Sequence, residues 1–391
     1  LWKILYMLFP IIVGIIIGHG GISVFILPFA MIPMMLCLFI DHSTALITHC
    51  ITIMMCSIMI GSPYEFLMLQ TVAGIAFNAL DKVPKDMQPS KQVLLKWSVL
   101  ATRVTMQNKK MNDTLCDLFS VLQSKNFQPI LQKGQGIAQK YPLPELRECG
   151  DIDLYFRSED ERDKAEKYLA QFHGCNISKM PDGSSHYKWK GIDVEHHAQL
   201  VDLHYSKAQK YAHQLVEAKG FDGTGLVVGD VTIMCPQAEV NLLLLNTHIL
   251  KHAIGVGIGL RQLCDIAMAY KEYTSHIGPD NDIKEIYTNA GIRKWSALLH
   301  SFLVTYLGMP EEYLPYKEDL SSQSPLELLE IVRRGGNFGH YRNTRNKQNE
   351  SVWRRKINTA LSFVQNVRFA LKYAPRESFS IMKKLVIGQM S

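Results

Sequence analysis

The first eighty residues carry almost no charge. Lys3, Asp41 and Glu65 are the three formal charges between Leu1 and Leu80. A helix that meets water needs a polar face, so this scarcity argues against the rival reading, a very apolar soluble bundle. Paired cysteines are missing too. Cys37, Cys50, Cys56, Cys116, Cys149, Cys175, Cys235 and Cys264 form no C-x-x-C pair. That excludes a zinc ribbon and a disulfide framework, and it leaves buried thiols in a reducing compartment. No Lys/Arg stripe accompanies the modest net charge of +6. A specific nucleic-acid partner is therefore not expected, and a phosphate-rich small molecule suits the balance equally well. The pair His248 and His252 lacks the Glu of the zinc-protease pattern, because Ile249 follows the first His.

Apolar stretches fill the charge-poor region: Ile4 to Ile17, Ile22 to Ile40, Ala45 to Ile60 and Phe66 to Leu80. The second and third approach the roughly 20 residues that span a bilayer core. Residues 1–80 are thus expected to be transmembrane helices, about four spans. Lys82, Lys85, Lys91 and Lys96 follow the last span, which places that end in the cytoplasm. The expected location is the inner membrane, with the later part of the chain cytoplasmic. Residues 81–109 read as a linker with a helix at Gln92 to Met106. Leu115, Leu118, Phe119 and Leu122 mark a second amphipathic helix.

The chemistry centres on Gly150-Asp151-Ile152-Asp153-Leu154-Tyr155-Phe156. Ile152 alternates with two carboxylates ahead of strand-favouring residues. Asp151 and Asp153 then share one strand face, with Cα atoms roughly 6.5–7 Å apart. Carboxylates that close repel unless a cation or proton lies between them. Mg²⁺, held by carboxylates together with substrate phosphates, is the natural candidate, or Mn²⁺. Upstream, Phe127 to Gln132 reads as a strand, Lys133-Gly134-Gln135-Gly136 as a turn and Ile137 to Lys140 as a short helix. Backbone N–H groups at such a turn suit an anion, and Lys133 adds a cation.

These residues, with Tyr141, Pro142, Pro144 and Arg147, form KG-x-x-x-A-x-x-YP-x-P-x-LR-x-x-x-DIDL. The pattern resembles the uncharacterised nucleotidyltransferase family of the DNA-polymerase-β-like superfamily, and weaker resemblance extends over residues 110–345. It departs from the wider superfamily in one respect: Lys133-Gly134 stands where Gly-Ser or Gly-Gly is usual. The resemblance implies a nucleotidyltransferase domain over 110–235, α/β with a mixed sheet, and a helical C-terminal domain over 236–391. It also implies a nucleoside triphosphate substrate, with Lys133, Gly134 and Arg147 binding the nucleotide and His252, Arg261 and Asp265 lining the cleft. An Arg261–Asp265 pair that merely braces two helices is the equal alternative. Separately, ILPFAMIPMMLCLFIDHSTALITH and LQTVAGIA resemble the later spans of seven-span receptors that carry a cytoplasmic HD phosphohydrolase. The HD domain is absent and the chain starts at Leu1, which suggests a fragment or a fusion; if residues 1–80 are a fusion, the enzyme is cytoplasmic.

The third carboxylate has two candidates. Glu195 lies in Gly191-Ile192-Asp193-Val194-Glu195-His196-His197, and its E-x-H pattern resembles the family's. Asp202, in Leu200-Val201-Asp202-Leu203-His204, is the rival. The activity read here is metal-dependent transfer of a nucleoside monophosphate from a nucleoside triphosphate to an unknown acceptor, with Asp151, Asp153 and Glu195 as metal ligands. The alternatives are a non-catalytic nucleotide sensor or partner-binding protein, and a fragment of a membrane phosphohydrolase receptor.

Overall fold

The computed structural model describes residues 91–255, 257–278, 281–317, 319–320, 324–335 and 366–387. The four apolar stretches expected to span a membrane lie outside them. Among the described residues, no helix is long and apolar enough to cross a membrane. The chain divides into two compact units, Leu1–Ala101 and Thr102–Ser391. The site belongs to the second.

One helix, α1 (Lys91–Gln123), replaces the expected linker helix and its amphipathic successor. No glycine or proline interrupts the run. Thr114 returns its hydroxyl to the Lys110 carbonyl, 2.7 Å away, so this β-branched residue is accommodated in mid-helix. A boundary at residue 110 would cut α1 beside two working side chains. Asn108 Nδ2 donates to the carbonyls of Glu145 (2.7 Å) and Arg147 (2.9 Å), and Gln107 Nε2 donates to that of Cys149 (2.7 Å).

The sheet runs in the order β1 (Ile130–Gln132), β2 (Asp151–Tyr155), β5 (Ile192–His197), β4 (Ser185–Trp189), β3 (Ser178–Lys179). Only β2 and β5 pair in parallel; the other neighbours are antiparallel. The short helix α2 (Gly134–Ala138) follows β1, and α3 (Glu159–His173) follows β2. Ser158 caps α3 by accepting from the Glu161 N–H, and Gly174 ends it in the left-handed region. β4 and β5 form a tight hairpin around Lys190 and Gly191, both with positive φ (48° and 81°), the geometry of a two-residue turn matched to strand twist.

Alternation along the strands sorts the two sheet faces. Ile152, Leu154, Tyr187 and Val194 join Leu115, Leu118, Phe119 and Leu122 of α1 and Ala165 and Leu169 of α3 in one buried apolar cluster. The opposite face carries Asp151, Asp153, Glu195 and His197.

Beyond α4 (Ser206–Lys219), a second hairpin follows: β6 (Gly225–Val228) and β7 (Val231–Met234). Gly229, with φ of 57°, turns it beside Asp230. Strands of four residues carry little periodic signal, but Val228, Val231 and Ile233 close the core cluster. Helices follow: α5 (Ala238–Ile254), α6 (Leu260–His276), α7 (Asn281–Asn289), α8 (Arg293–Leu307), α9 (Leu326–Gly335) and α10 (Pro375–Ile387). Their shared interior holds Tyr270, Tyr287, Trp295 and Phe302. Glu377 of α10 accepts from the His204 and Tyr205 N–H groups (2.5 and 2.9 Å) just ahead of α4. A carboxylate there complements the helix dipole.

Asn108→Ala would leave two inward carbonyls without their donor. The expected loss is about 1–3 kcal/mol of stability, read from urea unfolding of the full chain.

Candidate active site

A cleft of about 400 Å³ opens on the polar sheet face and is walled by α5 and α6. Gln132, Lys133, Asp151, Asp153, Glu195 and His197 line it from the sheet, and Thr247, His248, Lys251, His252, Arg261 and Asp265 from the helices.

The parallel register sets Asp151 against Asp193 and Asp153 against Glu195. Asp153, Glu195 and His197 offer ligand atoms that all lie within 4.8 Å of one another. His197 Nε2 is 2.6 Å from Asp153 Oδ1, and its Nδ1 is 3.5 Å from Glu195 Oε1. Lys133 Nζ lies 3.2 Å from the same Oδ1 of Asp153. Lys133 reaches it from strained backbone, φ 48° and ψ −138°, rare for a residue with a side chain.

The two aspartates respond oppositely. Burial raises the Asp151 carboxyl above the usual aspartate range, and repulsion from Asp153 adds to it. Burial alone would raise Asp153 as well, but Lys133 and His197 outweigh it and hold that carboxyl well below the usual range. Two carboxylates and an imidazole on one face, with Asp151 beside them, fit a divalent cation: each supplies a lone pair, and a cation would relieve the repulsion that raises Asp151.

Other residues named from the sequence fall as follows. Gly134 adopts φ 40° at the start of α2, next to Lys133. Asp202 lines the cleft but pairs with Lys251 at 2.5 Å. Arg147 lines it too, yet its guanidinium fork is taken up by Asp265 (Nε–Oδ1 3.0 Å, Nη2–Oδ2 2.7 Å), and Tyr141 donates to that carboxylate at 2.8 Å. The brace at Asp265 therefore joins α6 to the loop before β2. Arg261 approaches Glu148, 3.4 Å from its carbonyl and 4.0 Å from its carboxylate. Burial pushes His252 down to about 4, helped by Lys133, Lys251 and Arg261. His248, edge to face with it at 4.5 Å, is lowered by burial and Lys133.

His197 is a residue that reasoning from sequence sets aside, since no helical pairing or cysteine partner supports a zinc site there. The alternation that puts Glu195 on the cleft face puts His197 there too. The neighbouring histidines are spent elsewhere: His196 lies on the core face between Glu166 (3.2 Å) and Tyr187 (3.0 Å), and His204 pairs with Glu377 at 2.9 Å.

A mixed sheet offering clustered carboxylates in a cleft walled by helices suits phosphoryl-group chemistry on a metal-bound polyphosphate. A family model described as uncharacterised nucleotidyltransferase matches residues 63–304, more than half of the chain. The chain belongs to that family and is, in that general sense, a nucleotidyltransferase. A second model, described as a seven-span receptor with an intracellular HD hydrolase, matches residues 1–80 and suggests membrane association. Neither a curated protein nor a solved structure matches the chain.

Two predictions follow from the charge balance. In metal-free protein Asp151→Asn should raise the melting temperature at neutral pH, because a raised carboxyl destabilises the fold once ionised. Asp153→Asn should lower it. A depressed carboxyl stabilises above its unfolded value, about 3.9, and that stabilisation is lost as pH falls through the lower folded value. Thermal melts in chelator at pH 7 and in a series below pH 4 test both signs. At the brace, Arg147→Met should cost about 3–5 kcal/mol by stranding the buried Asp265 carboxylate, and Arg147→Met with Asp265→Leu should regain most of it in denaturant titrations.

Proposed function

We propose that this protein transfers a nucleoside monophosphate from a nucleoside triphosphate to an acceptor hydroxyl and releases pyrophosphate, in a reaction that depends on Mg²⁺ or Mn²⁺. The observation that carries the reading is the register of Asp153 with Glu195, which gathers Asp153, Glu195 and His197 within ligand reach beside Asp151. Asp151, Asp153 and Glu195 would hold the metal, with His197 as a further ligand. A bound metal would stabilise charge on the attacking and leaving oxygens of an in-line displacement.

The chain's own groups divide the remaining work. Lys133, now on Asp153, would serve the triphosphate when a metal holds that carboxylate. The acceptor oxygen forms its bond to the α-phosphorus as the bond to the bridging oxygen breaks, and Glu195 helps draw off the hydroxyl proton. The helical wall, with His252 and Arg261, chooses the acceptor. Arg147 and Asp265 act from behind by fixing the loop that leads into β2. The domain order proposed is a membrane segment over 1–80, a linker, a nucleotidyltransferase domain ending near 235 and a helical domain after it, with the enzyme facing the cytoplasm.

The test is pyrophosphate release from each of the four nucleoside triphosphates with Mg²⁺ or Mn²⁺, with mass shifts sought on candidate acceptors. Release should need metal. Glu195→Gln should lose at least about a hundredfold in rate, and Asp202→Asn far less. The reverse ranking would move the third carboxylate to Asp202, and no release or transfer with any nucleotide would leave a nucleotide-binding protein without catalysis.

A further inference from the structure

Gln132 ends β1 on the cleft face, and its register partner across the strand pair is Asp153. The residue is 1% exposed. Its Nε2 is buried and has no hydrogen-bond partner. Gln132 nevertheless lines the cleft, next in sequence to Lys133. An orphaned buried amide is costly, because it gives up its bonds to water and gains none. Directly opposed residues of an antiparallel pair have Cβ atoms about 4.5–5.5 Å apart, so this donor stands one strand away from the carboxylate at the centre of the acid cluster.

Nearby side chains account for their polar groups differently. Lys133 and His197 both engage Asp153. Gln135 Nε2, one turn further on, donates to Asn112, and its carbonyl oxygen accepts from Cys149. Gln132 alone of these four leaves a buried donor unused. A donor of that kind beside an ammonium group suits an oxygen anion, which accepts from both at once.

We infer that Gln132 is a substrate-binding residue: its side-chain amide donates to a non-bridging phosphate oxygen of the triphosphate, alongside Lys133. The inference rests on the nucleotidyltransferase reading and deepens it by giving the phosphate chain a neutral, directional donor next to its cation. A neutral amide adds geometric selection without further depressing Asp153, which has to remain available to a metal. It would also let the departing pyrophosphate leave more readily than a second cation would.

The experiment uses the full chain, with inorganic tripolyphosphate as probe and Mn²⁺ present, followed by titration calorimetry. Gln132→Leu keeps the size and removes the donor. It should weaken tripolyphosphate binding about tenfold or more, the scale of one hydrogen bond to a charged group. Binding of Mn²⁺ alone should be unchanged, and the metal-free melting temperature should hold or rise because an unpaired polar group has gone. Gln132→Glu, which sets a carboxylate against the phosphates, should weaken tripolyphosphate further than Gln132→Leu. Equal tripolyphosphate affinity in wild type and Gln132→Leu would overturn the inference and leave the nucleotidyltransferase reading standing. Weakened Mn²⁺ binding or a lower melting temperature in Gln132→Leu would also overturn it, by making Gln132 a support for Asp153 or for the fold. Absence of tripolyphosphate binding in the wild type would sink both.

Discussion

Parallel pairing of β2 with β5 is the constraint on which the site depends. It sets Asp153 beside Glu195 and Asp151 beside Asp193. Side chains alternate along each strand, so a slip of one residue would carry Val194 and His196 to the cleft and bury Glu195. The core opposes that slip. Ile152, Leu154 and Val194 fill the apolar cluster under α1 and α3, while His196 is sealed between Glu166 and Tyr187. The polar network on the core face is thus a register lock for the acidic face. Glu166 ties the lock to α3, the helix whose crossover makes the parallel pairing possible.

The charges of the acidic face are only half balanced by its own neighbours. Asp153 has Lys133 and His197 on one oxygen, whereas Asp151 has burial and a like charge against it. The same contacts that steady Asp153 occupy the place where a metal would act. On the proposed reading, a cation at Asp153 would displace Lys133 from that carboxylate and free it for phosphate. The unusual backbone at Lys133 accompanies a side chain held on Asp153 by its surroundings rather than by its own conformational preference.

What could be read from the sequence tracks the length and regularity of each signal. The D-x-D strand and the Lys133-Gly134 turn carry local cues, and both stand near where alternation and turn chemistry put them. The β6–β7 hairpin was hidden because four-residue strands barely register as periodic and helices surround them. The continuity of α1 was hidden because the polar stretch between Met106 and Leu115 separates two apolar patterns without breaking the helix. Asn108 is spent on carbonyls of the loop before β2, a use that no local pattern records. Arg147 posed the hardest problem. An arginine in a phosphate-binding neighbourhood reads as a ligand, and its partner Asp265 lies 118 residues away. Pairing over such a separation is tertiary information.

The two walls of the cleft carry opposite character, and that polarity bears on what it can hold. The sheet presents Asp151, Asp153 and Glu195; the helices and turn present Lys133, Lys251 and Arg261. Burial and those cations keep His252 and His248 below the usual histidine range, so near neutral pH both imidazoles add hydrogen-bonding capacity without charge. A bare polyanion would be repelled by the sheet, and a bare cation would be drawn to the carboxylates but opposed by the lysines. A metal bound to a phosphate chain is positive on one side and negative on the other. It can set the metal toward the carboxylates and the phosphate oxygens toward the cations, so that neither wall is left with an uncompensated charge. On the proposed reading, a cleft of this polarity would favour the complex over either of its parts.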